Sequence, residues 1–360
     1  MLAQESLEGS DNLISHEMGH QWFGDLVTTK DWADLWLNEG FATFMDQIWE
    51  EHQYGADNAA YSRWRAQAGW MRQNRLFGVP IVTRDFNDSM EYAGNIYGKG
   101  GMVLEMLRKQ MGDAAFFRGL QHYLETYRLQ NVATADLVRA LEESSHMNVD
   151  HFFDQWIYNG GAPRFAVIST YDAASKQLKL EVKQTQDVRG RVGLFEVPIE
   201  VEIATAGGTK TFPITVSKAD EPFLFPADSQ PLMVLFDKGD KILKSVEFRK
   251  SPAEWIYQLQ NAEDVPDRAE AAQQLGDVKG NDAAVAALGE AAIHDRFWGV
   301  RVQAITALGK IGGASAEKPL LAALANSEPW VREVAVDHLG KFKEDASLAA
   351  ELRDRLKVLE

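Results

Sequence analysis

Cysteine is absent from all 360 residues. That removes disulfides, thiolate nucleophiles and Cys-based zinc knuckles, and leaves the redox compartment unread. Any zinc must sit on histidine and carboxylate. Also missing is a run of about 18 apolar residues, the least a membrane-spanning helix needs. The opening MLAQESLEGSDN has neither the basic nor the apolar region of a signal peptide, so the expectation is a soluble, cytoplasmic chain with no membrane partner. Positive charge is scarce: 37 Lys and Arg stand against 53 Asp and Glu, a formal net charge of −16. Phosphate backbones are bound by clustered Lys and Arg, so the expectation is that no nucleic acid is bound.

What is present is ordinary globular material, 45% hydrophobic and 25% charged. The length predicts two or three domains. From Leu13 to about His151, apolar residues recur at helical spacing, in LISHEMGHQWFGDLV, NEGFATFMDQIWEEH, GGMVLEMLRKQM and TADLVRALEESS among others. Asn38 and Thr134 read as helix caps. Seven of the ten tryptophans precede Gly160 and are expected in the core of this part. After Asn159-Gly160-Gly161-Ala162-Pro163, seven short alternating segments from RFAVIST to KSVEF predict a small β-sandwich over 161–250. From 251 on helices return, and PDRAEAAQQLGDV, GVRVQAITALGKI and WVREVAVDHLGKF align with Arg268, Arg301 and Arg332 and with Leu275, Leu308 and Leu339 in register. A period of just over thirty residues is one helix pair stacked on the next, as in HEAT-like solenoids. Such a repeat serves as a partner-binding surface or as a scaffold.

The chemistry gathers near the start. His16-Glu17-Met18-Gly19-His20 has HExxH spacing, and on a helix two residues four apart share one face, about 6 Å from each other. Both imidazoles can reach one ion. Hydrolytic zinc has three protein ligands and an open position, and Glu39, eighteen residues beyond His20, returns on a second helix as the third. Glu17, one residue round from His16, is off the ligand face but within reach of a metal-bound water, where it would act as general base. An oxyanion formed at a peptide carbonyl needs a second electrophile, which a tyrosine hydroxyl would supply. GNIYGKG fails the phosphate-loop spacing, and the remaining histidines, His52 to His338, have no ligand-like spacing.

HEMGHQWFGDLVT followed by DLWLNEGFATF resembles the gluzincin zinc aminopeptidases, the aminopeptidase N family. Asn95 to Leu104, NIYGKGGMVL, resembles the segment in which that family keeps its oxyanion-stabilising tyrosine, which implies that role for Tyr97. WIYNGGAPRF resembles the family's junction into the β-sandwich. The resemblance implies an α+β multidomain fold: a mainly helical thermolysin-like zinc domain (1–160), a small β-sandwich (161–250) and C-terminal HEAT-like helical repeats (251–360). It implies one Zn2+ per chain on His16, His20 and Glu39, with Glu17 and Tyr97 catalytic and a peptide or aminoacyl compound as substrate. The family's GxMEN segment, whose glutamate holds the substrate amine, and its N-terminal β-domain have no counterpart before His16. The expectation is therefore a shortened enzyme that discriminates poorly between free and blocked amino termini, and that self-associates or pairs with a separate N-terminal chain. Glu5 or Glu8 would be the substitutes for the missing carboxylate. Two other readings stay open: a partner-binding module with a structural zinc, and a zinc amidase or esterase acting on small substrates.

Overall fold

A computed structural model describes residues 2–72, 77–84 and 93–340, with side chains from Asp11 onward. The side chains of Glu5 and Glu8, and the end of the repeat beyond Gly340, lie outside the described set. By packing, the chain falls into two compact units. One comprises Met1–Glu200, Phe212–Pro226 and Asp240–Phe248; the other comprises Val201–Thr211, Ala227–Gly239 and Arg249–Glu360.

The first unit opens with helix α1 (Leu2–Gly19), a short strand β1 (Val27–Thr29) and helix α2 (Trp36–Tyr54). The apolar periodicity of LISHEMGHQWFGDLV suggests a helix running to Val27, but α1 stops at Gly19. The Gly24 amide instead donates to the Val27 carbonyl in a tight turn, which frees Val27–Thr29 to pair in parallel with β2 (Gln130–Val132). The expected Asn38 cap is also corrected. Asn38 lies inside α2, because the turn Trp32–Asp34, capped by Asp31 accepting from the Ala33 amide at 2.8 Å, starts the helix earlier. Thr134 is likewise the first residue of its helix rather than its cap. Its amide and hydroxyl both donate to Asp34, at 2.9 and 2.7 Å, while Asp136 accepts from the Ala133 amide.

Helices α3 (Ala56–Arg72) and α4 (Gly100–Met111) pack on α2. Between them lies a π-helical turn, Gly94–Lys99. Beyond α4 come α5 (Asp113–Thr126), α6 (Thr134–Ser145) and the short α7 (Asp150–Phe153). Trp36, Trp70 and Trp156 are in the core as expected, but Trp22, Trp32 and Trp49 are exposed. Amphipathic rings need only part of their surface covered, so aromatic content alone overstates a core.

All seven predicted strands form. A four-stranded sheet has the order β7 (Asp220–Pro226), β4 (Gln177–Gln184), β3 (Arg164–Asp172), β9 (Ser245–Phe248), and a three-stranded sheet the order β6 (Gly208–Val216), β5 (Val197–Thr205), β8 (Met233–Phe236). In β4 the burial alternates, with Leu178, Leu180 and Val182 inward, as a half-buried strand requires.

Among the described residues, six helices follow in three pairs: α8 (Pro252–Asn261) with α9 (Val265–Leu275), α10 (Asp282–His294) with α11 (Trp298–Ile311), and α12 (Ala314–Ala323) with α13 (Pro329–Leu339). The recurring leucines Leu275, Leu308 and Leu339 are all buried. Each recurring arginine donates to the carbonyl six residues before it, in the loop leading into its own helix: Arg268 to Ala262 at 3.1 Å, Arg301 to Asp295 at 3.3 Å, Arg332 to Asn326 at 2.8 Å. Arg268 also pairs with the Asp295 carboxylate of the next loop at 2.9 Å. The repeat visible in the sequence is thus a loop-locking device used three times.

Candidate active site

The structure brings His16, His20 and Glu39 together. His16 Nε2 and His20 Nε2 each lie 3.3 Å from Glu39 Oε2, and one ligand atom from each residue falls within 4.8 Å of the others. The two imidazoles stand edge to face, ring centroids 4.9 Å apart and planes at 86°, so both Nε2 atoms face one point. The helices carrying them cross closely because Gly19 has no side chain: a Cβ there would come within 3.2 Å of the Ala42 Cα and the Met45 Cβ.

The outer nitrogens are already engaged. His20 Nδ1 donates to the Phe23 carbonyl at 3.0 Å, which fixes its tautomer and leaves the Nε2 lone pair free. His16 Nδ1 faces Asp46 Oδ2 at 3.3 Å, and Ser15 donates to the other oxygen of the same carboxylate at 2.9 Å. Hydrogen-bonded outer partners of this kind orient histidine ligands and make them more basic. Asp46 was not singled out from the sequence. The signal was available, since Asp46 lies seven residues after Glu39, two turns on and on the same face of α2.

The electrostatics fit a cation. Asp46 first and Glu39 second raise the His16 imidazole to about 9, against some loss from burial. Burial pushes the Glu39 carboxyl up, but the hydrogen bond with His16 and the charge of His20 outweigh it and hold the carboxyl below its usual range. Two carboxylates thus create a well for positive charge between imidazoles, and a divalent ion competes with protons for it. Two imidazoles, neutral once a metal displaces the proton, and one carboxylate are the donor chemistry of a hydrolytic zinc site. The residues fit the metal.

Tyr97 sits at the same place. Its ring stacks on His16 with centroids 5.8 Å apart and planes within 10°, and its hydroxyl lies within the electrostatic reach of Glu39. Burial first, then the Glu39 charge, with Glu17 last, raise the phenol above its ordinary value, so it stays a donor at neutral pH. Glu17 is exposed on α1, next along the chain from His16. The π-helical turn comes so close to α2 because Gly40 follows Glu39: a Cβ there would lie 3.1 Å from the Ile96 carbonyl oxygen and 3.2 Å from the Gly100 Cα. Of the remaining histidines, His122 pairs with Glu143 at 3.1 Å and His338 is buried. Among the described residues the only cluster of three or more His, Asp and Glu with metal-ligand spacing is His16, His20 and Glu39.

Residues 2–156 match the family model of the peptidase family M1 domain. Over this stretch the chain is similar to that family's domain. The stretch is followed by two overlapping matches to HEAT repeats, over 252–340 and 285–358. The chain is 35% identical over 208 residues to aminopeptidase N of Lactococcus lactis subsp. lactis, covering 52% of this chain and 23% of that protein. It is 33% identical over 210 residues to the tricorn protease-interacting factor F2 of Thermoplasma acidophilum, covering 55% and 25% respectively. The matches thus span about a quarter of those relatives' lengths. The crystal structure of Legionella pneumophila aminopeptidase A in complex with aspartic acid shares the fold at a TM-score of 0.68 and 18% identity, over 95% of this chain and 39% of that one. The HEAT-repeat matches and the shared fold agree with the fold class expected from the sequence. No helix of the described residues is long and apolar enough to cross a membrane.

Proposed function

We propose that the chain is a zinc metallopeptidase of the aminopeptidase type, with His16, His20 and Glu39 as metal ligands and Glu17 and Tyr97 as catalytic residues. One observation carries the reading: both imidazoles of the HExxH helix and the carboxylate of Glu39 converge within 4.8 Å, their outer nitrogens already hydrogen-bonded. The match of residues 2–156 to the M1 family model supports it.

When bound, zinc supplies a Lewis acid that polarises a carbonyl and lowers the pKa of a water. The chain's own residues do the rest. Glu17, off the ligand face, takes the proton of the attacking water and returns it to the departing amine, so its carboxylate must be free at the start of the cycle. Tyr97, kept protonated by its burial and its acidic neighbours, donates its hydroxyl hydrogen to the oxyanion as the carbonyl carbon becomes tetrahedral. Asp46 and the Phe23 carbonyl keep the two imidazoles aimed at the ion. Peptides or aminoacyl amides are the substrates this chemistry suits, and the division into zinc domain (1–160), β-sandwich (161–250) and helical repeat (251–360) belongs to the same proposal.

The test is metal-dependent hydrolysis. Purified chain should hold one zinc, lose hydrolysis of an aminoacyl reporter when a chelator strips the metal, and regain it on addition of zinc. A chain that binds no zinc under metal-replete conditions would end the reading, and a metal-bound chain without hydrolytic activity would favour a structural zinc. Turnover of esters but not of amides would move the assignment to a small-substrate esterase.

A further inference from the structure

The π-helical turn that carries Tyr97 is held from behind by one indole. Lys99, its last residue, is 0% exposed, and its Nζ has no hydrogen-bond partner among the described residues. The ammonium group lies over the face of Trp70, 5.5 Å from the ring centroid. The same indole donates from Nε1 to Asn95 Oδ1 at 3.0 Å, and Asn95, also 0% exposed, donates to the Val79 carbonyl at 2.8 Å. Asn95 and Lys99, near the two ends of the turn, thus close on one side chain of α3. Tyr97, midway between them, is turned the other way, 37% exposed and stacked on His16.

A π-helical turn is rare and recurs at functional sites. A buried amine without a partner is a cost that an apolar side chain of the same length would avoid. Trp70 is the residue type that meets both anchors, since its ring face attracts a cation and its N–H, once buried, needs an acceptor. On the other side, Gly40 and Gly100 bring the turn against α2 backbone to backbone.

We propose that Lys99, with Asn95 and Trp70, is a positioning residue for the oxyanion donor: the three side chains set the place of the Tyr97 hydroxyl over the metal ligands. This rests on the reading of Tyr97 given above. Lys99 does not touch substrate; it acts through the turn.

The test is a double-mutant cycle on zinc-loaded protein with Lys99→Met, Tyr97→Phe and both. Methionine keeps the unbranched stem, so Lys99→Met should bind zinc and melt no lower than the parent. With Tyr97 present its kcat should fall about ten- to a hundredfold at unchanged KM, the scale of displacing a reacting group by about 1 Å. In the Tyr97→Phe background the same substitution should cost nothing further, because nothing is left to position. Affinity for a phosphinic dipeptide analogue, whose anionic oxygen mimics the oxyanion, gives a second readout by calorimetry: weaker by a similar factor with Tyr97, unchanged without it. Should Lys99→Met fail to fold, Trp70→Phe, which keeps the ring face and loses the bond to Asn95, runs the same cycle. Equal losses in both backgrounds, or no loss in either, overturn the clamp. A Tyr97→Phe chain as active as the parent overturns the Tyr97 assignment as well, and is recognised before Lys99 is altered.

Discussion

At the scale of single residues, the site depends on groups one step behind the ligands. Asp46 accepts the Nδ1 proton of His16 and a hydrogen bond from Ser15, so Asp46→Ala should leave the ligand set intact but loosen one imidazole. Zinc affinity, measured by competition with a chelator, should fall about 10–100-fold; an unchanged affinity would show that His16 needs no such support. Lys99 offers a second test. Burial lowers its ammonium to about 7, whereas the unfolded chain keeps the proton up to about 10.4. Between these values the unfolded state binds more protons, so stability rises with pH in that window. Lys99→Met should therefore be more stable than the parent at pH 7 and below, with the difference closing as pH approaches about 10. Thermal denaturation at several pH values checks this, and a gap that ignores pH would mean that Lys99 is not the group being titrated. His16, Glu17, His20 and Glu39 are legible because their types and spacing have few other uses. Asp46, Lys99 and Trp70 are not, because a lone aspartate, lysine or tryptophan has many bland explanations until its neighbours are known.

At the scale of elements, the site is made where three backbones meet. Gly19 lets α1 cross α2, and Gly40 lets α2 meet the Tyr97 turn. Alanine at position 40 would gain about 1 kcal/mol of helix propensity, but its Cβ would press on the Ile96 carbonyl and the Gly100 Cα, and overpacking costs about 1–3 kcal/mol. Gly40→Ala should thus be neutral to destabilising by about 2 kcal/mol, the sum of those two effects, and should lower turnover more than stability because the turn it displaces carries Tyr97. A stabilised and fully active variant would mean that the turn yields freely. Strands were easier to read than helix ends. Alternation such as QLKLEVKQ leaves one choice of face, whereas α2 begins two residues before its apparent cap because a separate 3-10 turn, capped by Asp31, feeds into it. The π-helical geometry of Gly94–Lys99 had no sequence signal beyond its glycines.

At the scale of the whole molecule, the helical pairs of the second unit are tied by arginines that reach backward to a carbonyl and, for Arg268, forward to an acid. Arg268 and Asp295 are both nearly fully buried at their side chains, 4% and 7% exposed. Arg268→Ala would take the ion-pair partner from the Asp295 carboxylate and a donor from the Ala262 carbonyl, and breaking a buried pair from one side costs about 3–5 kcal/mol. Denaturant unfolding should show that loss; a change within about 0.5 kcal/mol, the range of an unremarkable surface substitution, would make the repeat arginines ornamental. The three-part order of helices, strands and helices was readable because each part has its own period, four-residue, two-residue and just over thirty.

The central claim, that His16, His20 and Glu39 form a hydrolytic metal centre served by Glu17, meets its most direct test in Glu17→Gln. Parent and variant would be loaded to the same zinc content and assayed with one aminoacyl reporter. The expected result is one zinc per chain in both and a turnover lower by about 10²–10⁴ in the variant, since the substitution removes the base and leaves the ligands. A zinc-loaded Glu17→Gln chain that hydrolyses the reporter at the parent rate would contradict it.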